Sequence, residues 1–286
     1  MHKNNDWRKS FRVCTQSICK WRNDPRMWAV LIFLFVFAWT QLKTVRNFCM
    51  MQELSISNWY FPFFFSGGMV VVFFYLGIIL IFCNAPFVDN QQMYVILRAG
   101  SKNWFRGKIL YIFITCCIYF LLLYVISILE LIPYVGFSSQ WERILESLSV
   151  NGDVGIYILT IPEEIIHNFS PVKATLLCYL LNILTATFLG LLIFCVNLYK
   201  SQNFGVGIAL VIVLLSQVGK VLTVRAEWIL NYFSPVSWTN LSIYKKGFGG
   251  VPMAYAFTML LTGILVLILL IMHRQKEYSI EAMEEI

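Results

Sequence analysis

The chain has 286 residues, of which 59% are hydrophobic and 13% are charged, and its mean hydropathy is +0.70. In a soluble globular domain about a quarter of the residues are charged, so this composition excludes an ordinary soluble enzyme. The formal net charge of +7 at pH 7 requires no nucleic-acid partner, because Lys and Arg are enriched beside the cytoplasmic ends of membrane spans. The eight cysteines have no pairing pattern, and we expect free thiols.

Before the first apolar block, hydrophobic residues recur at steps of four and three, with basic residues on the rest of the surface. The recurring residues are Trp7, Phe11, Cys14, Ile18 and Trp21. This spacing predicts an interfacial amphipathic helix over residues 5–24 that lies flat on the cytoplasmic leaflet and stops near Pro25. Two interpretations stay open for this helix: an elbow that couples membrane and cytosolic motions, or a simple membrane anchor.

Six long and nearly charge-free blocks follow, and they predict six transmembrane helices. About 20 apolar residues in a helix cover the ~30 Å hydrocarbon core, where only a helix or a closed barrel satisfies the backbone. Residues 70–81 and 260–271 are apolar on every face, which favours helices over alternating barrel strands. We therefore expect an all-α polytopic membrane protein with a single domain, residues 1–286. The predicted spans are 27–42, 60–82, 109–129, 172–196, 204–224 and 253–272.

The distribution of charge predicts the orientation of these spans. Most Lys and Arg residues lie in the two termini, in the connection between the second and third spans, and beside the fourth span at Lys200. The connection over residues 130–171 is acidic instead. Because basic flanks stay inside, both termini are predicted to be cytoplasmic and the 130–171 connection to be outside.

The cytoplasmic segment 84–104 has the signals of a short helix. Pro86 suits the first turn of a helix and Gly100 suits the position just past its end. Asp89 would lie near the positive end of the helix dipole and Arg98 near the negative end. Such a helix can fit a groove on a soluble partner, and the alternative is a turn that returns the chain to the bilayer. After Gly100, a second helix is predicted to run through Trp104, Lys108 and Tyr111 into the third span.

With this segment, the chain resembles the permease subunits of ATP-binding-cassette exporters, of the six-helix, second membrane-domain type. The resembling residues are Asn84-Ala85-Pro86-Phe87, Arg98-Ala99-Gly100-Ser101-Lys102-Asn103-Trp104 and, more loosely, Phe233-Ser234-Pro235-Val236-Ser237-Trp238. In that family the segment after the second span forms a coupling helix in a cleft of the ATPase. The resemblance implies this coupling role for Pro86, Phe87, Val88, Asp89, Gln91, Tyr94 and Arg98.

The resemblance also implies the partners and the activity. It predicts a cytoplasmic ATPase subunit that binds ATP and Mg, a second permease chain in a homodimer or heterodimer, and the bacterial plasma membrane as the location. This chain has no G-x-x-x-x-G-K-[ST] phosphate loop, so we expect a transport subunit without a cofactor or catalytic motif of its own. The expected cargo is an amphiphilic or hydrophobic molecule such as a peptide, an antibiotic or a lipid-like compound, moved out of the cell.

Polar residues inside the spans are candidates for lining a route for the cargo. Ionisable groups are almost absent there, as each would cost about 2.5–3.5 kcal/mol at the bilayer centre. The mildly polar candidates are Ser66, Tyr111, Thr115, Asn182, Thr185 and Gln217. The alternative for each of them is helix packing through interhelical hydrogen bonds.

In the outer connection, an apolar stripe from Trp141 to Leu148 predicts an interfacial helix. Pro162 precedes two acids, Glu163 and Glu164, which predicts a second short helix with negative charge at its positive end. The connection is interpreted as a solvated cap or as an outer gate of a transporter.

Other functions were weighed against export. Glu163 to His167 superficially resembles a zinc-protease helix, but the second His that such a site needs is missing. A secondary transporter is disfavoured because the chain has neither an internal repeat nor an intramembrane charge. A membrane sensor or scaffold that transports nothing stays open as the alternative.

Overall fold

The computed structural model describes residues 2–52, 55–87, 92–138, 140–141, 161–200, 203–221, 230–244 and 250–284. Within these residues, four helices are long and apolar enough to cross a membrane: Pro25–Lys43, Ser101–Leu131, Pro171–Tyr199 and Met253–Gln275. Two shorter apolar helices, Gly68–Phe82 and Phe204–Gln217, accompany them. The protein is therefore a predominantly helical, multi-pass membrane protein, as the hydropathy pattern predicts at this coarse level.

The elements follow one another along the chain with short connections. The helices are α1 His2–Cys19, α2 Pro25–Gln52, α3 Gly68–Phe82, α4 Gln92–Ala99, α5 Ser101–Leu131, α6 Glu163–Asn168, α7 Pro171–Tyr199, α8 Phe204–Val221 and α9 Met253–Glu284. Short 3₁₀ helices occupy Lys20–Asn23, Phe61–Phe65, Ser237–Thr239 and Leu241–Ile243, and a helical turn covers 230–233. Two-residue strands, β1 Ile56–Ser57 and β2 Val135–Gly136, pair in parallel.

The prediction of one continuous helix over 60–82 is wrong. The chain forms a 3₁₀ helix at Phe61–Phe65, and Gly67 is extended (φ −76°, ψ 129°) before α3 begins. Pro62 lacks the N–H that a continuous helix would use, and Gly67 adopts the cap conformation at low cost. The buried aromatic rings of the 3₁₀ helix pack on α5, with Phe61 5.8 Å from Tyr124 and Phe65 6.0 Å from Phe120 between ring centroids.

The other apolar blocks differ from the predicted spans mainly at their ends. Helix α2 continues to Gln52 and α5 begins at Ser101, so both extend past the apolar cores that hydropathy identifies. At 1.5 Å per residue, α5 is roughly 46 Å long and exceeds the ~30 Å hydrocarbon core. Residues 222–224 of the fifth predicted span lie outside the described residues.

Helices α5 and α7 form the centre of the bundle. Helix α5 contacts α1, α2 and α7, and α7 contacts α3, α8 and α9. Gly190 of α7 permits a close approach, since a Cβ there would lie 2.7 Å from a side-chain carbon of Ile112. Small residues at helix contacts are typical of membrane bundles, because packing replaces the hydrophobic effect between helices in lipid.

Part of the outer connection is described. Helix α6 starts after Pro162 with Glu163 and Glu164 in its first turn, which confirms the second predicted short helix. The interfacial helix predicted beyond Trp141 lies outside the described residues. The indole of Trp141 donates a hydrogen bond to the Phe169 carbonyl at 2.9 Å and packs on Phe63, which fixes this end of the connection to the bundle.

Candidate functional site

Helix α1 packs tightly across the start of α5. Its buried face consists of Ser10, Val13, Cys14 and Ser17, while Trp7 and Phe11 of the predicted apolar stripe are exposed. Gly107 makes this packing possible, because a Cβ there would lie 2.7 Å from Val13 Cβ and 2.8 Å from the Ser10 carbonyl oxygen. The protein-facing side of α1 is therefore adjacent to the stripe that sequence periodicity identifies, and Trp7 and Phe11 remain free for other contacts.

Lys108 of α5 is the buried cation of this region. Its side chain is 2% exposed, and its ammonium donates a hydrogen bond to the Ser17 hydroxyl of α1 at 3.1 Å. The ammonium nitrogen also lies 5.3 Å from the ring centroid of Phe87, 5.6 Å from that of Trp104 and 5.8 Å from that of Tyr111. Distances within about 6 Å of ring faces give cation–π attraction, and this attraction strengthens where water is excluded.

The 83–87 turn enters the same cluster through Phe87. Its ring packs edge-on against Tyr111 at 5.3 Å and lies 6.2 Å from Phe194 of α7. Phe87 has a φ of +62°, which is rare for a bulky residue and costs roughly 1–2 kcal/mol. The contacts of the aromatic ring hold this backbone in place.

The sequence-based start of the coupling helix is wrong. Pro86 lies in the turn with Ala85 and Phe87, and the described helix α4 begins at Gln92. The predicted end is confirmed, because α4 stops at Ala99 and Gly100 follows with φ +83°. Gly100, and not Ser101, occupies the cap position of α5, since a glycine takes that positive φ without steric cost.

Asn197 of α7 connects the 83–87 turn to helix α8. Its amide nitrogen donates to the Ala85 carbonyl at 2.8 Å, and its amide oxygen accepts from the Gly205 N–H at 2.8 Å. Sequence analysis missed this residue. An isolated amide inside the apolar run 188–198 was the available signal, because a buried amide must find hydrogen-bond partners.

Trp21 and Tyr111 add a further link between the N-terminal region and α5. The indole N–H of Trp21 donates to the Tyr111 hydroxyl at 2.9 Å, and the rings meet edge to face at 6.4 Å. We call Ser17, Trp21, Phe87, Lys108, Tyr111 and Asn197 the junction. It joins α1, the 83–87 turn, α5, α7 and α8 at the end of the bundle that carries α4.

Helix α4 projects from the junction with an exposed face. Tyr94 is 76% exposed and Leu97 is 82% exposed, and Arg98 is exposed beside them. A groove of about 440 Å³ runs between α4 and α1, and its lining includes Lys9, Arg12 and Arg98. This surface combines apolar side chains with several positive charges and faces away from the apolar core.

The predicted coupling residues therefore fall into separate groups. Phe87 points into the junction, Pro86 lies in the turn beside it, and Tyr94 and Arg98 lie on the exposed face of α4. Val88, Asp89 and Gln91 lie outside the described residues.

The predicted pathway residues do not form one continuous lining. Asn182 accepts a hydrogen bond from the Tyr75 hydroxyl at 2.9 Å, and Thr185 donates to the Pro235 carbonyl at 3.3 Å. Gln217 donates to the Ser216 hydroxyl at 3.0 Å, and Ser66 is buried in the turn before α3. These contacts are of the interhelical and local kind that packs a bundle. Tyr111 and Thr115, in contrast, line cavities near the junction.

Comparison with known proteins gives no match: no protein-family model, no curated protein and no solved structure resembles the chain closely enough to identify its family. Among the described residues, no cluster of His, Cys, Asp or Glu could hold a metal ion. Fold and site together define a class, a multi-pass helical membrane protein with an exposed short helix joined to its core by a buried polar and aromatic junction.

Proposed function

We propose that this protein is the membrane-spanning subunit of an ATP-driven exporter in the bacterial plasma membrane. In this proposal six helices span the bilayer, both termini are cytoplasmic, and a separate subunit binds and hydrolyses ATP with Mg. A second permease chain, identical or different, completes the assembly. The cargo is amphiphilic or hydrophobic.

The observation that supports this proposal best is the exposed face of α4. Leu97 and Tyr94 are three positions apart, so they lie on one side of the helix, and large exposed apolar side chains beside a positive groove are typical of a protein-docking surface. Lys9, Arg12 and Arg98 would complement an acidic rim on the ATPase.

The junction provides a physical connection from this surface to the apolar helices. Gly100 is the single residue between α4 and α5, so a displacement of α4 acts directly on the end of a long helix. The 83–87 turn contacts Lys108 through Phe87 and α7 through Asn197. Movement imposed on α4 by nucleotide binding would thus reach α1, α5, α7 and α8 together, which is the coupling that an ATP-driven permease requires.

The decisive experiment combines this protein with the ATPase encoded in the neighbouring reading frame, in proteoliposomes. We expect the two chains to copurify, and we expect Leu97→Asp to abolish both copurification and ATP-driven transport. Phe137→Asp is the matched control, because Phe137 is 81% exposed at the opposite end of α5. It should leave both properties intact.

Two results would refute the proposal. A Leu97→Asp variant that copurifies and transports normally would remove α4 as the docking surface. Labelling of a Lys102→Cys variant by an impermeant reagent from outside intact cells would place α4 on the wrong side of the membrane. If the wild-type chain binds no ATPase at all, the non-transporting sensor or scaffold becomes the preferred function.

A further inference from the structure

Two cavities adjoin each other beside the junction. One is apolar and has a volume of about 130 Å³, and the other is lined by polar and apolar groups and has a volume of about 100 Å³. They share the lining residues Trp21, Met27 and Ile81. A ligand that occupies both must therefore have one apolar part and one polar part.

The apolar cavity lies between α2, α3 and α5. Its lining includes Val30, Leu31, Thr115, Ile118 and Leu122. A dry cavity of about 150 Å³ holds benzene in a protein interior, so this volume has room for about six carbon atoms of a chain. The space fits a single hydrocarbon chain, and a second chain would have to lie outside it.

The polar cavity is lined by three cations and one carboxylate. Lys20, Arg26 and Lys108 face it together with Asp24, and Ser17 and Asn84 add neutral polar groups. The carboxylate of Asp24 accepts the backbone N–H of Arg26 at 3.0 Å, which caps α2. Three positive charges against one negative charge favour an anionic head group.

The order of the two cavities along α5 matches the orientation of a lipid in the leaflet on the α4 side. Lys108 and Tyr111 line the polar cavity, whereas Thr115, Ile118 and Leu122 line the apolar one. From Lys108 to Leu122 the helix rises about 21 Å toward the bundle centre. A head group would therefore lie at the α4 end, with its tail pointing into the membrane.

We propose that this pair of cavities binds a single-chain amphiphile with an anionic head group, and that such a molecule is the cargo taken from the inner leaflet. This proposal rests on the exporter function and specifies its substrate class. Phe87 lines the head-group cavity and also carries the 83–87 turn, so movement of the turn changes the shape of the head-group site. Power applied at α4 would release the head group first.

The test uses photolabelling in phosphatidylcholine nanodiscs, with no ATPase present. The probe is dodecyl phosphate with a diazirine in its tail, and a dodecyl trimethylammonium probe with the same tail is the comparison. We expect the phosphate probe to label peptides that contain Leu31, Ile118 or Leu122, and the cationic probe to label them weakly. Unlabelled dodecyl phosphate should compete, whereas inorganic phosphate should not.

Variants separate the two parts of the site. Ile118→Trp fills the apolar cavity and Arg26→Gln removes a head-group cation; each should lower labelling about tenfold, equivalent to one charge-assisted contact or one apolar segment. Leu121→Trp on the exposed side of α5 and Lys200→Gln at the end of α7 are the matched controls and should label normally. Arg26 is exposed, so its replacement tests the site even if Ile118→Trp fails to fold.

Equal labelling by both probes, or unchanged labelling of Arg26→Gln, would overturn the anionic head-group site. Competition by two-chain phosphatidylglycerol as strong as that by dodecyl phosphate would overturn the cargo assignment, because the site would then hold a resident lipid. Since this measurement needs no ATPase and no transport, its failure leaves the test of the exporter function untouched.

Discussion

The two ends of α5 each bury one charged side chain, and they treat the charge differently. Lys108 is 2% exposed and Glu130 is 3% exposed, and the two positions lie roughly 33 Å apart along the axis at 1.5 Å per residue. The Lys108 ammonium has the Ser17 hydroxyl and three aromatic rings around it. Neither carboxylate oxygen of Glu130 has a hydrogen-bond partner among the described residues, and Arg46 reaches its backbone carbonyl at 3.5 Å.

This difference indicates where the bundle is tied together. At the Lys108 end, α1, the 83–87 turn and α7 converge on one set of contacts. At the Glu130 end, the described links around the end of α5 include the two-residue pairing of β1 with β2, in which Ile56 is opposite Val135. A buried charge with hydrogen-bonded surroundings organises its neighbours, whereas one without them costs stability.

The largest expected effect comes from Lys108→Ala. Removing the ammonium and its aliphatic chain leaves a void among Phe87, Trp104 and Tyr111, and core truncations of this size cost about 3 kcal/mol. We expect a lower unfolding midpoint in detergent and faster proteolysis of the 83–87 turn. Lys102→Ala, on the exposed side of the same helix, is the control and should have little effect. Equal midpoints for the two variants would contradict the role of Lys108 as the organising residue.

Gly107→Ala tests the packing of α1 on the same end. The added Cβ would lie 2.7 Å from Val13 Cβ, and overpacking of this kind costs about 2 kcal/mol. We expect α1 to separate from α5, which crosslinking between α1 and α5 would report. Gly207→Ala is the matched control: nothing lies within 4 Å of its added Cβ, so the higher helix propensity of Ala should stabilise it by about 0.5–1 kcal/mol. The same direction of change in both variants would show that the close contact is unimportant.

Glu130→Gln should have the opposite sign from Lys108→Ala. The substitution removes a buried negative charge that lacks hydrogen bonds, so we expect stabilisation by about 1 kcal/mol, measured as a higher unfolding midpoint. Glu163→Gln, an exposed acid in α6, is the control and should stay within about 0.5 kcal/mol of wild type. A lower midpoint for Glu130→Gln would mean that its carboxylate makes a stabilising contact, and the two ends of α5 would then be alike.

The smallest effect concerns the reactivity of Cys14 on α1. Burial raises the pKa of the Cys14 thiol, and the positive charge of Lys108 opposes part of this rise. Because the thiolate is the reactive form, a raised pKa means slower alkylation at pH 8 and a rate that keeps increasing at higher pH. We expect N-ethylmaleimide to modify exposed Cys19 about tenfold faster than Cys14 in the folded protein. Equal rates in the native state would show that α1 detaches readily from α5.

Some features of this protein could be predicted from its sequence because they depend on neighbours along the chain. The apolar blocks predict the membrane helices, since a helix in lipid needs only its own backbone hydrogen bonds. The end of α4 at Gly100 and the start of α6 after Pro162 also follow from local signals, as glycine accepts a positive φ and proline precedes a helix easily.

The tertiary structure alone decided the features on which the proposed function depends. The break before α3, the inward position of Phe87, the surroundings of Lys108 and the bridging role of Asn197 each arise from residues far apart in the chain. Sequence periodicity shows that a residue is apolar or polar, but the partner of a polar group is set by how helices pack. The two adjoining cavities likewise exist only where four segments meet, so composition and spacing carry no signal for them.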